Sequence, residues 1–181
     1  MAMGYRVWKN IKGQQPFASQ CLQDAIELYE MGKAKEGFQQ GNSYGAPYRY
    51  NERTWADDME WAAAELYAVT KNKKYLSDAI HYARMIQTTS WMERDSSAHY
   101  EMYPYVNMGH YALWKVCDPA FKKELVGYYK HNLDNILKKA SMNPYDVGHL
   151  FIWCSNNLAA AVSTQALLYE KMTGDRRYRN L

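Results

Sequence analysis

Two segments about 100 residues apart repeat one pattern, and no other feature constrains the fold of this chain more. Residues 65 to 76 read ELYAVTKNKKYL and residues 167 to 178 read LLYEKMTGDRRY. Each holds a Leu-Tyr pair, then a Thr, then a Tyr five residues after the Thr. Each copy reads as the end of one helix, a tight polar turn, and the start of a second helix with an inward Tyr. Repetition of such an αα-hairpin fits a solenoid or toroid of helix pairs, because one hairpin alone cannot bury its apolar face. The separation is too long for a tetratricopeptide array.

Helical periodicity fills most of the remaining chain. Pro16 opens a helix whose apolar positions are Phe17, Cys21, Leu22, Ala25, Leu28 and Tyr29, with Gly32 near its end. Thr54 is the expected N-cap of the next helix, with Asp57 in the capping-box position and Trp61, Ala64, Leu66 and Tyr67 on its apolar side. A further helix restarts after Thr70, with Tyr75, Ala79, Tyr82 and Met85 about one turn apart. A short helix covers about 106 to 115. Asp118-Pro119 is a cap followed by a first-turn proline, launching a helix to about Ala140. The last long helix runs from about Asn156 to Met172, Gly174 suits its left-handed terminus, and Asp175 is expected to cap a final helix beginning RRYRNL. That makes seven helical segments and no convincing strand. Residues 37 to 50, 88 to 104 and 142 to 149 read as loops. The first two are long for a compact domain, where such loops are often functional.

Composition then removes several functional classes. The net charge of +3 is too mild to imply a nucleic-acid partner, and the basic residues form no long block. No stretch approaches the roughly 18 apolar residues of a membrane span, and the first residues hold no signal-peptide core. The cysteines, Cys21, Cys117 and Cys154, lie far apart and make neither a zinc spacing nor a disulfide framework. Calcium-loop, phosphate-loop, HExxH and GxSxG patterns are absent, so no cofactor or metal site is expected. What stands out is aromatic: 17 Tyr and 6 Trp against only 4 Phe. Tyr and Trp combine a flat apolar face with a polar handle, which suits sugar rings and interfaces as well as cores.

Three clusters hold residues capable of chemistry. In the first, Asp57 and Trp61 stand four apart and share a helix face, whereas Asp57 and Asp58 do not. A carboxylate accepting sugar hydroxyls beside an indole covering axial C–H groups would make a glycan grip. The same aspartates would also stabilise the first helical turn through the macrodipole with no ligand at all. The second cluster is the aromatic loop holding Trp91, Glu93, Asp95, Glu101 and Tyr103; its spacing does not set two carboxylates across a substrate, as glycoside hydrolysis requires. The third runs from Gly148 to Asn157, where Trp153 enters the last helix. There it either stacks a pyranose ring or fills a wedge between helices.

The segment from Thr54 to Leu76 resembles Y-x-D-E-L-x-W-A-A-x-x-L-Y-x-A-T-G-D-x-x-Y-L, a segment of glycoside hydrolase family 9, the endoglucanase and cellodextrinase family. Trp153-Cys154-Ser155-Asn156, followed by Thr173-Gly174-Asp175 and Tyr178, is similar to that family's W-G-S-N and T-G-D-x-x-Y. Phe17, Ala18, Cys21, Leu22 and Ala25 match its F-A-x-K-C-L-x-x-A. Three ordered matches cover about 160 residues. Departures are Asp58 for the family Glu, Cys154 for Gly, and Lys71-Asn72 for Gly-Asp, which suggest a divergent branch.

The resemblance implies an all-α fold, a partial (α/α)6 toroid of antiparallel helix pairs, with residues 1–181 forming the middle-to-late part of a catalytic module. It implies inverting hydrolysis of β-1,4-glucans or related β-glucosides. Asp57 then holds sugar hydroxyls, Trp55 and Trp153 line the cleft, and Asp58 stands at the family Glu position; Trp91 and Tyr103 join the substrate-binding set from the aromatic loop itself. The family's D-A-G-D segment, which supplies the catalytic base, does not occur here, and no counterpart of its proton-donating Glu is evident. The expectation is therefore an enzyme as the parent, secreted or periplasmic, and a 181-residue chain that is inactive alone and carries no catalytic residue. About half a toroid would expose apolar helix faces to a complementary fragment or a second copy. Two other readings remain: a non-catalytic carbohydrate-binding or scaffold toroid, and another α/α-toroid sugar enzyme using the 91–105 loop.

Overall fold

The computed structural model describes residues 1–37, 54–87, 107–148 and 155–180. Among them are seven α-helices and no strand: α1 (Ala2–Trp8), α2 (Gln15–Ala34), α3 (Ala56–Thr70), α4 (Lys73–Ile86), α5 (Met108–Trp114), α6 (Pro119–Ala140) and α7 (Ser155–Thr173). Successive helices pair antiparallel. α3 is the hub, packing on α4 and α5 and also against α1 and α2, while α6 packs on α7. The architecture is a partial (α/α) toroid.

The repeated turn is built by the same local bonds in both copies. Thr70 Oγ1 donates to the Leu66 carbonyl at 2.8 Å, and Thr173 Oγ1 donates to that of Tyr169 at 2.8 Å. Each hydroxyl then accepts the amide two residues on, from Asn72 at 3.2 Å and Asp175 at 3.1 Å. The intervening residue is left-handed in both, Lys71 at φ 59° and Gly174 at φ 77°. Asn72 and Asp175 accept the amides of Lys74 and Arg177, both at 3.0 Å. The inward tyrosines end edge-on against another ring, Tyr75 on Tyr29 at 5.3 Å and Tyr178 on Tyr169 at 5.1 Å.

The capping residues predicted from sequence hold at Asp118, whose carboxylate accepts the amides of Ala120 and Phe121 at 2.9 and 3.0 Å. They fail at Thr54, because Trp55 is the N-cap of α3 and closes no side-chain bond. Two further differences offset each other in the helix number. α1 forms where no helix was predicted. The RRYRNL segment forms turns at 177–180 instead of a helix. There Arg179 reaches back to the Glu170 carboxylate through two bonds of 2.6 Å and Arg176 joins it at 3.2 Å, so the segment folds onto the end of α7. Phe17 and Leu28, expected inward on α2, are exposed, whereas Cys21 and Tyr29 are buried. On α4, Ile86 is buried in place of Met85.

The core has three apolar clusters. The largest joins Tyr29 on α2, Ala63, Ala64 and Leu66 on α3, Tyr75, Ala79 and Ala83 on α4, and Leu113 and Leu125 beyond them. A second gathers Ala56, Tyr82 and Ile86 with Ile136 and with Leu158, Ala161 and Val162 of α7. A third holds Tyr129, Leu133, Tyr169 and Tyr178. Cys21 and Cys117 are buried free thiols, and Cys154 lies outside the described residues. No helix among the described residues is long and apolar enough to cross a membrane.

Candidate functional site

The head of α3 carries the described part of the predicted site. Asp57 and Asp58 occupy its first turn, where the exposed amides and the helix dipole favour negative charge. Their side chains diverge, because neighbours on a helix point about 100° apart. Asp57 is half-buried. Asp58 turns toward α1 and α2, where it borders a cavity of about 370 Å³ with Trp61, Tyr29, Leu28, Met59 and Met3. Asp58 remains exposed overall, and the apolar wall beside it pushes its carboxyl upward by partly desolvating the charged form. Trp55 takes the opposite side. It packs against the second apolar cluster and meets the edge of the Tyr82 ring, centroids 5.9 Å apart at 75°.

The structure thus joins Asp58 with Trp61 on one flank and leaves Trp55 with α4 on the other. Trp91, Tyr103 and Trp153 lie outside the described residues, as do Glu93, Asp95 and Glu101.

One turn further along α3 is a buried polar cluster that the sequence reading missed. Glu60 Oε1 and His110 Nδ1 are 2.7 Å apart, with the two side chains 0% and 1% exposed. Burial pushes the Glu60 carboxyl upward, and the neighbouring His110 pulls against that shift. Among the described residues, the second Glu60 oxygen and His110 Nε2 find no hydrogen-bond partner. A Cβ on Gly109 would sit 2.9 Å from the Glu60 carboxyl carbon and 3.1 Å from the Trp61 amide nitrogen, so only glycine lets α5 approach this closely. Tyr129 closes the cluster by donating to the Asn107 carbonyl at 2.5 Å. At the other end of α3, buried Glu65 pairs with Arg6 of α1 at 3.1 Å. The signal for Glu60 was available: Ala56, Glu60, Ala63 and Ala64 recur at helical spacing, which puts the glutamate on the buried stripe.

Chemically, the two levels differ. The rim offers carboxylates and indole faces that solvent reaches, suited to accepting hydroxyl hydrogens and covering sugar C–H groups. The Glu60–His110 pair has acid–base character but is sealed from solvent, so it fastens α3 to α5. Among the described residues, no group of three or more His, Cys, Asp or Glu side chains could hold a metal ion.

The described helices make a partial toroid of antiparallel pairs with carboxylates and aromatics at one helix head. The chain belongs to glycosyl hydrolase family 9, whose sequence profile it matches over residues 1–181. No curated protein gives a significant match to the chain.

Proposed function

We propose that this chain supplies the glycan-holding part of an inverting β-1,4-glucan hydrolase. The observation that carries the proposal is the head of α3, where Asp57 and Asp58 occupy the first turn and Trp55 stands at the N-cap, with Asp58 and Trp55 on opposite flanks, in a family 9 chain. In this reading Asp57 accepts hydroxyl hydrogens, and Trp55, together with Trp91, Tyr103 and Trp153, covers the faces of successive sugar rings. Asp58 borders the same rim and faces the α1–α2 cavity.

Inversion requires a general acid and a general base about 6.5–9.5 Å apart on opposite sides of the scissile bond. Residues 1–181 contain no D-A-G-D segment for the base and no evident counterpart of the proton-donating Glu, so both proton-transfer groups are assigned to the parent protein outside this stretch. The parent is assigned to the secreted or periplasmic space, where polymeric β-glucan is met. Met3, Val7, Phe17, Leu28 and Met31 form exposed apolar positions on α1 and α2. A complementary part of the toroid, or a second copy, would pack there.

The test is a reducing-end assay on soluble β-glucan with the purified chain. No release above the buffer control is expected. Robust turnover that vanished in Asp95→Ala but survived in Asp57→Ala would overturn the assignment.

A further inference from the structure

Trp55 holds its place at the head of α3 without a side-chain cap bond, so its orientation depends on what its ring touches. Among the described residues its aromatic contact is Tyr82 of α4, which is wholly buried. The Tyr82 hydroxyl sits between two charged groups. It accepts a hydrogen bond from Lys33 Nζ at 2.7 Å and donates one to Glu36 Oε1. Lys33 and Glu36 pair directly at 3.0 Å, and Lys33 also lies 3.6 Å from Asp78. Asp78 in turn accepts from the Tyr29 hydroxyl at 2.8 Å.

A continuous set of bonds therefore runs from α2 and α4 to the ring on which Trp55 rests. Apolar packing at this position needs only a ring, and phenylalanine would supply one. The hydroxyl adds a fixed end, because charge-assisted bonds are shorter and more directional than neutral ones. With its far end held by a cation and an anion, the Tyr82 ring cannot shift in its own plane, and its edge presents one surface to the indole.

We propose that Tyr82 is a positioning residue for Trp55, and that the Lys33–Tyr82–Glu36 clamp sets glycan affinity without touching sugar. The proposal rests on the reading of Trp55 as a glycan contact, and its test separates the two. Tyr82→Phe keeps the ring and the Lys33–Glu36 pair while removing the hydroxyl. Lys33→Met, at a half-buried surface position, removes the donor and leaves Tyr82 in place.

Each protein is titrated with cellohexaose, and the emission of Trp55 alone is obtained by subtracting the spectrum of the matching Trp55→Phe variant. Both variants are expected to shift Trp55 emission to the red and to weaken cellohexaose binding about three- to tenfold, the range that one aromatic pair is worth. The loss is expected to disappear when Trp55 is already replaced. Unchanged Trp55 emission in both variants would overturn the proposal. So would an affinity loss of equal size with and without Trp55. Unaltered affinity in Trp55→Ala would refute the glycan-contact reading itself and, with it, the clamp's role in binding; a persisting emission shift would then mark the failure as belonging to that reading.

Discussion

Removing the Glu60 carboxylate should be among the most damaging single changes in the chain. Glu60 and His110 meet at 2.7 Å with essentially no solvent exposure. Glu60→Leu leaves the imidazole buried without its partner. Breaking one side of a buried pair of this kind costs about 3–5 kcal/mol, because the remaining group keeps its desolvation penalty and loses its compensation. Against a total stability of about 5–15 kcal/mol for a domain, that is a large fraction. For a chain of this length it corresponds to a fall in Tm of about 6–20 °C.

The assay is urea unfolding followed by far-ultraviolet circular dichroism, with Glu60→Leu, His110→Phe and the double variant forming a cycle. The double variant should recover much of the loss, since two apolar side chains of similar volume can replace a buried polar pair at little cost. Gly109→Ala supplies an independent check, because its Cβ would press on the Glu60 carboxyl at 2.9 Å. Its cost, about 1–3 kcal/mol from overpacking, should shrink when Glu60 is already shortened to Ala. A Glu60→Leu variant within about 1 kcal/mol of the parent would refute the claim that this pair fastens α5 to α3.

Two other outcomes follow from the turns and the charges. Lys71 holds a left-handed backbone, φ 59°, at the position where the second copy of the turn has Gly174. Relief of about 1–2 kcal/mol of strain in Lys71→Gly is offset by about 0.5–1 kcal/mol for the entropy of glycine and about 0.5–1 kcal/mol for the lost Lys71–Tyr67 ring contact, so its urea midpoint should stay close to that of the parent, whereas Lys71→Ala, which keeps the strain and loses the contact, should lose about 0.5–1 kcal/mol. Acid should also destabilise the fold. Glu36 is held below the usual carboxylate range by Tyr82 and Lys33, Glu124 by Arg84, Glu170 by Arg179, and Asp175 by the Arg177 amide. Their contribution is present above the unfolded carboxylate range near pH 4 and is lost as pH falls through their lower folded values. Glu60 and Asp58, raised by desolvation, act in the opposite direction, so the urea midpoint should drop between pH 5 and pH 3 but not collapse. An equal or higher midpoint at pH 3 would contradict this balance.

What could be read in the sequence was local. Asp118 before Pro119 names a helix start because the carboxylate reaches amides two and three residues on. The Thr–left-handed residue–Asn or Asp turn is built within a few residues and so shows through in both copies. Thr54 had the right chemistry for a cap, but Trp55, packed against Tyr82, starts the helix one residue later. α1 has seven residues and neither a capping side chain nor a proline to mark its start, whereas the equally short α5 follows Pro104. The alanine stripe marks Glu60 as inward, but the pairing of Glu60 and Glu65 was hidden because their partners lie far along the chain, His110 at a separation of 50 residues and Arg6 on α1. At the rim, the pattern named Asp57, Asp58 and Trp55 together. The packing separates them, Asp58 toward α1 and α2 and Trp55 toward α4.

The central claim is that the head of α3 grips a β-glucan, and isothermal titration of cellohexaose into the chain and into Asp57→Ala tests it most directly. The account predicts measurable binding by the parent chain and a loss of about 5- to 150-fold in Asp57→Ala, the span of about 1–3 kcal/mol for one truncated contact of this kind. Binding of equal strength in both proteins would contradict it.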